Sequence, residues 1–339
     1  MSDKPLRVCI VGCGYMGNIH ADCWAQVPEA QVVAVVDIIE ERAGKLAGKF
    51  GLERIYTDYH EAIDLPEVNV VSVCIPTYLH ADASIYAMQR GKHVMSEKPV
   101  ALDLAQADAM IAAAHQNGIK FSVGLMRYHS PVMAELKQWL GDGRQNHPSI
   151  YWSSDIREIR PKREMHDQHA NGGPVIDMGV HLFATWLELF GSPVKEVYAQ
   201  GFTFAGARPE LEHIQDKAVD SASVSVRFQS GDVGNFLVTW GVPPGVVPPG
   251  MPEVILTTSG VLHVTFGGNH QEAKFQREGG DWETIAVCDE NMYQREINDF
   301  AAAILQERPP LVDGEQGRAA LQVSLAALES IRTGAPVQI

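Results

Sequence analysis

Leu6-Arg7-Val8-Cys9-Ile10-Val11-Gly12-Cys13-Gly14-Tyr15-Met16-Gly17 is the stretch on which the fold of this chain turns. A mostly apolar run enters three glycines spaced G-x-G-x-x-G, and helical spacing begins at Met16. A strand, a glycine turn and a helix start in that order form the phosphate-binding corner of a βαβ unit. The first glycine permits the tight turn, the second lets backbone approach a pyrophosphate, and the third lets the helix pack closely on the strand. The start of the helix then faces the phosphates.

Asp37 closes the next apolar run, 20 residues after Gly17. A carboxylate there accepts hydrogen bonds from the adenosine ribose hydroxyls of a dinucleotide. It would repel a ribose 2′-phosphate, and Ile38 and Ile39 follow with no adjacent arginine, so the reading favours NAD over NADP. Arg42 is the nearby cation that could reverse this, and it reads equally as a solvated helix residue.

Outward from this corner, β-branched runs at 6–11, 31–36, 70–75, 93–95 and 120–123 alternate with helical spacing at 16–26, 40–50, 81–90 and 104–116. Nearly continuous apolar strands separated by helices predict a parallel, doubly wound sheet covered on both faces. After residue 150 the pattern changes to successive strands at 149–156, 195–200, 221–228, 233–240, 254–258, 261–266, 273–277 and 283–287. Many strands in a row predict a large open antiparallel sheet. Helices are predicted at 175–190, 292–306 and 315–332, and the proline-rich segment 241–252 reads as a surface loop. The expected class is thus α/β, with domains at 1–125 and 126–339.

Composition sets outer bounds. The 339 residues are 45% hydrophobic and 20% charged, enough for packed cores and against disorder. A net charge of −15 opposes binding to nucleic acid or an anionic membrane surface. No apolar run reaches the ~18–20 residues of a membrane-spanning helix. Five cysteines without CxxC spacing read as reduced thiols in a cytoplasmic protein, and the 13 histidines lack the close pairs of a metal site.

Pro76-Thr77-Tyr78-Leu79-His80, Gly91-Lys92-His93-Val94, Glu97-Lys98-Pro99 and Val312-Asp313-Gly314, added to the glycine fingerprint, resemble the Gfo/Idh/MocA oxidoreductases. The resemblance implies a Rossmann domain followed by a domain whose open sheet serves oligomer contacts, hence a homodimer or homotetramer. It further implies NAD-dependent oxidation or reduction of a secondary hydroxyl on a sugar, sugar derivative or polyol. Cofactor contacts fall on Gly12, Gly14, Tyr15, Met16, Gly17, Asp37, Ile38, Pro76, Thr77, His80, Glu97 and Lys98. Catalysis falls on Lys98, Asp177 and His181. Two other readings stay open: an enzyme that retains NAD and uses transient oxidation for glycoside cleavage or elimination, and a non-catalytic NAD-binding regulator.

The chemistry of those residues stands on its own. Loss of hydride from a carbinol carbon yields a carbonyl only if the hydroxyl proton also departs, which requires a base such as His181. Asp177 and His181, four residues apart, would share one face of a single helix, an arrangement equally that of an ion pair. Lys98 would donate to the developing alkoxide. Asn171-Gly172-Gly173-Pro174 reads as a small-residue approach for cofactor or substrate, or as an ordinary helix start. Arg127, at the end of the fifth strand, is placed to line a ligand crevice. The charged stretch 155–169 reads as a solvated loop or as a lid, with Arg157, Lys162 and His169 as its substrate contacts. Ala184 stands where many cyclitol-oxidising relatives carry an aspartate, which argues against an inositol substrate.

Overall fold

The computed structural model describes residues 5–143, 147–159, 165–246 and 253–339. Its first compact unit is the chain up to Met126 together with Met292–Arg318. Five strands, β1 (Leu6–Val11), β2 (Ala30–Val36), β3 (Val70–Val73), β4 (His93–Ser96) and β5 (Phe121–Val123), form a parallel sheet in the order β2-β1-β3-β4-β5. Helices α1 (Tyr15–Trp24), α2 (Glu40–Phe50), α3 (Tyr59–Ile63), α4 (His80–Gln89) and α5 (Leu104–Gln116) connect them. Every residue of β3 and β5 is buried, Ser72 and Ser122 included, which is why these strands read as mostly apolar runs. The chain leaves β1 for β2 on one side and reaches β3 on the other, so the sheet's switch point lies at the glycine turn.

The second unit is Arg127–Asn291 with Ala319–Ile339. It opens with α6 (Pro131–Gly143), which sequence reading missed, and β6 (Ile150–Glu158). Next come α7 (Pro174–Asp177) and α8 (Gly179–Phe190), then β7 (Val194–Phe202), β8 (Ser221–Phe228), β9 (Val233–Val242), β10 (Glu253–Thr257), β11 (Gly260–Phe266), β12 (Gln271–Arg277) and β13 (Glu283–Cys288). After α9 (Met292–Leu305) and α10 (Gly314–Thr333), a short β14 (Val337–Gln338) ends the chain. The nine strands run β13-β12-β11-β10-β6-β9-β8-β7-β14. All neighbours are antiparallel except β6 and β9, which pair in parallel from Ile150↔Val233 to Glu158↔Val242. Two helices and two strands intervene in sequence between them, so no local signal announces the pairing.

Two sequence expectations change. The predicted helix 175–190 is two helices: the Met178 amide still bonds to Pro174, but the join to α8 carries the tighter bond from His181 N–H to Met178 O, 3.2 Å. The segment placed wholly in a second domain also divides, since Met292–Arg318 packs with the first unit. There α9 buries Ile297, Phe300, Ala301 and Ile304 in the same cluster as Val8, Trp24 and Leu46. Trp24 and Phe300 meet edge to face at 6.3 Å. At the start of α10, a Cβ on Gly314 would lie 2.7 Å from both Ile111 and the Phe121 ring, which accounts for the glycine of Val312-Asp313-Gly314.

Within the second unit α8 packs against one face of the sheet. Trp186, wholly buried, contacts the rings of Tyr151 and Phe183, and a Cβ on Gly234 of β9 would fall 2.3 Å from its indole. Overpacking of this kind costs about 1–3 kcal/mol. Gly234→Val should therefore lower the urea midpoint by that equivalent, and a variant with the parent's midpoint would show that the indole yields freely.

Candidate active site

The glycine turn is a set of close approaches. Gly12 has φ +95°, and a Cβ there would meet the Cys74 carbonyl oxygen at 2.4 Å. A Cβ on Gly17 would lie 1.7 Å from the Gly12 carbonyl oxygen, so α1 rests directly on the turn. Gly14 differs: nothing lies within 4 Å of its Cβ position, which leaves its backbone open to a ligand. Asn18, which sequence reading passed over, staples the turn by donating from Nδ2 to Cys13 O (3.0 Å) and Gly14 O (2.8 Å). Helix α1 has no side-chain cap and no acidic residue in its first turn. Its N-terminal amides and the positive end of its dipole therefore suit an anionic group.

Asp37 is held at the end of β2. Its Oδ2 accepts the Cys13 N–H and its Oδ1 the Ile39 N–H, each at 2.9 Å. Each carboxylate oxygen keeps a further acceptor site for a ribose hydroxyl. Tyr15 and Ile38 flank this corner at 74% and 86% exposure, while Met16 is half-buried. The open face at Gly14, the uncapped helix and the fixed carboxylate together fit a dinucleotide carrying a free ribose diol.

The loops after β3 and β4 form the next layer of this unit. Pro76 is exposed and Thr77 buried at the start of a single 3₁₀ turn, Thr77–Leu79. His80 is buried with Nδ1 2.8 Å from Pro99 O and Nε2 2.8 Å from Ile75 O, so it ties the two loops together. Glu97 also points inward: Oε1 lies 3.0 Å from His20 Nε2, and Oε2 accepts the Lys98 N–H at 3.1 Å. Gly124 makes room for it, since a Cβ there would come within 3.2 Å of the carboxyl group. Lys98 is half-buried and precedes a cis peptide bond to Pro99.

In the second unit, Gly172 and Gly173 both have positive φ, +76° and +74°. The space their side chains would occupy is already filled by Ile176 and Ala218, each at 2.6 Å, so these glycines serve the chain's own packing. Asp177 ends α7, half-buried, and His181 lies buried in the first turn of α8. The His181 carbonyl accepts from Thr185 Oγ1 at 2.7 Å. Arg157 reaches the join of the two helices, with Nη2 3.7 Å from Met178 Sδ and Nε 2.6 Å from Asp155 Oδ1. It lies over the Trp240 ring, whose Nε1 donates to Asp155 Oδ2 at 2.7 Å. Neither Asp155 nor Trp240 was singled out from sequence. Arg127 is buried and forks onto Glu253 at 3.1 and 2.8 Å, and Tyr151 donates to the same carboxylate at 2.6 Å. His169 is exposed beside Asp216 at 3.2 Å, and Lys162 falls outside the described residues. Ala184 is 1% exposed, and its carbonyl accepts from Tyr128. Among the described residues no three His, Cys, Asp or Glu side chains are grouped to hold a metal, and no helix is long and apolar enough to cross a membrane.

The chain belongs to the Gfo/Idh/MocA oxidoreductases. Residues 6–125 match the family model described as an oxidoreductase family with an NAD-binding Rossmann fold, and residues 133–262 match the GFO/IDH/MocA C-terminal domain. It is 27% identical to a myo-inositol 2-dehydrogenase of Thermotoga maritima over 98% of each chain. Identity to the scyllo-inositol 2-dehydrogenase (NAD(+)) of Bacillus subtilis is 28%, over 99% of this chain and 97% of the relative. The fold superposes on an aldose-aldose oxidoreductase of Caulobacter crescentus with TM-score 0.85 at 24% identity, covering 99% and 100% of the two chains.

Two substitutions separate folding from cofactor binding. Gly14→Ala adds a Cβ with no atom of the protein within 4 Å, so the unfolding midpoint should stay near the parent's value while NADH binding, read by fluorescence titration, weakens at least tenfold, about 1.4 kcal/mol. Asp37→Ala should narrow the preference for NADH over NADPH. Tighter binding of NADPH than NADH by the unmodified protein would contradict the role given to Asp37.

Proposed function

We propose that the protein is an NAD-dependent dehydrogenase of a secondary hydroxyl on a sugar, sugar derivative or polyol. The observation that carries this reading is the corner of Gly14 and Asp37, open to a dinucleotide, in a chain similar along its whole length to two polyol dehydrogenases. NAD, when bound, supplies the acceptor for the hydrogen and electron pair that leave the carbinol carbon. Lys98 donates a hydrogen bond to the oxygen as charge develops on it, which is worth most where water is excluded. His181 takes the hydroxyl proton, and Asp177 orients and charge-balances the imidazole that receives it. Arg157, held by Asp155 and Trp240 against Met178, is the substrate-facing cation of this unit. Arg127, spent on Glu253, instead fixes β10.

Ala184, small and apolar, supplies no carboxylate for ring hydroxyls. Leaving such a hydroxyl unpaired costs about 1–3 kcal/mol, so a sugar or glycoside outranks myo-inositol in kcat/KM. The protein is a cytoplasmic homo-oligomer in the same reading. Tyr198 and Phe202 of β7 and Leu237 of β9 are exposed apolar residues along the sheet, a surface that a second copy would cover, as sedimentation velocity can show.

The test is turnover on a panel of sugars, sugar acids, inositols and glycosides, followed as NADH formation. Lys98→Met should retain NADH affinity and lose at least about 10²-fold in kcat, the scale of one electrostatic donor. Near-parent turnover would make Lys98 structural. His181→Ala should be slow and should lose the rise of kcat/KM with pH that marks deprotonation of a base. If rate and pH profile persisted, the base would lie elsewhere.

A further inference from the structure

Beneath Lys98 lies a buried polar cluster centred on His20, a residue that the proposed chemistry does not use. His20, on α1 and wholly buried, places Nδ1 3.0 Å from Ser72 Oγ and Nε2 3.0 Å from Glu97 Oε1. Ser72 Oγ also accepts from Trp24 Nε1 at 3.0 Å, so its own proton is free to go elsewhere and its oxygen is doubly approached. Such an arrangement suits a ring with both nitrogens protonated. The other carboxylate oxygen of Glu97 holds the main-chain N–H of Lys98. The groups around His20 are Cys74 from the end of β3, Glu97 after β4 and Glu296 from α9, with Tyr293 of α9 near both glutamates.

We infer that His20 is a positioning residue of the dehydrogenase: its imidazolium grips the Glu97 carboxylate, which in turn fixes the backbone of Lys98 and so the lysine's aim at the reacting oxygen. This rests on the reading of Lys98 given above. Burial opposes a charged imidazole, while Glu97, 3.0 Å from Nε2, favours it, and the His20 pKa lies above its ordinary value. Burial and Glu97 push the carboxyl of Glu296, in the same interior, well above its ordinary value. The contact is directional because each end is tied by a further hydrogen bond, His20 Nδ1 to Ser72 and Glu97 Oε2 to the Lys98 N–H. The same helix that begins at the cofactor turn thereby carries the part that sets Lys98.

The experiment compares His20→Leu, His20→Gln and Lys98→Met in the full chain, with the best sugar of the panel, protonated or deuterated at the carbinol carbon. His20→Leu should keep NADH affinity and KM near the parent's and lose about 10²-fold in kcat, the effect of displacing a reacting group by about 1 Å. Its deuterium isotope effect on kcat should rise, because hydrogen transfer becomes the slow step. His20→Gln, which keeps a donor towards Glu97, should recover much of the rate. Parent-like kcat and isotope effect in His20→Leu, beside a slow Lys98→Met, overturns the inference and leaves Lys98 its role. Parent-like turnover in Lys98→Met overturns both. A parallel fall in NADH affinity, KM performance and kcat with an unchanged isotope effect marks a merely structural residue and also overturns it. If His20→Leu does not fold, Glu97→Gln decides, since it keeps the acceptor for Lys98 N–H but removes the charge. An intermediate kcat with a raised isotope effect supports the inference, and parent behaviour overturns it.

Discussion

No side chain fits between Gly17 and the carbonyl of Gly12, where a Cβ would lie 1.7 Å from the oxygen. Helix α1 must therefore lie on the turn, and much of the first unit follows from where that puts its residues. Its first turn is held over the turn carbonyls by Asn18, and its uncapped amides face the space that Gly14 leaves open. Two turns further along, His20 and Trp24 are delivered to Ser72, and Trp24 receives Phe300 from α9. One steric constraint thus sets both a cofactor surface and a buried polar interior.

That interior would be costly if any member lacked a partner. His20 is the hub because its two ring nitrogens reach Ser72 on β3 and Glu97 after β4, while His80 performs a separate task by bridging the main chain after β3 to that after β4. Between them the two histidines hold the Glu97–Lys98–Pro99 segment from its side chain and from its backbone. A buried ion pair contributes little net stability over an apolar packing of equal volume, so its value here lies in direction rather than strength.

The first sheet was legible because its inner strands are mostly buried and read as largely apolar runs, and because the glycine spacing has a steric meaning that survives without neighbours. The second sheet's strands were legible from alternation, as in β8, where Ala222, Val224, Val226 and Phe228 are buried between exposed Ser223 and Arg227. Relations between distant residues were not. Arg127 reads as a residue placed to line a crevice, and nothing local shows that Glu253, 126 residues on, takes its fork. Glu97 reads as a cofactor contact, and nothing local shows His20, 77 residues earlier, beside it. The division of 175–190 into α7 and α8, and the return of α9 to the first unit, depend on tertiary packing that periodicity does not encode.

The central claim is that hydrogen passes directly from a substrate carbinol carbon to NAD on this protein. Its most direct test is to supply the best sugar of the panel deuterated at that carbon and to examine the reduced cofactor by mass spectrometry and NMR. The account predicts one deuterium on the nicotinamide ring, delivered to a single face. Reduced cofactor carrying only solvent hydrogen would contradict it, as would a panel that yields no reduced cofactor, free or bound.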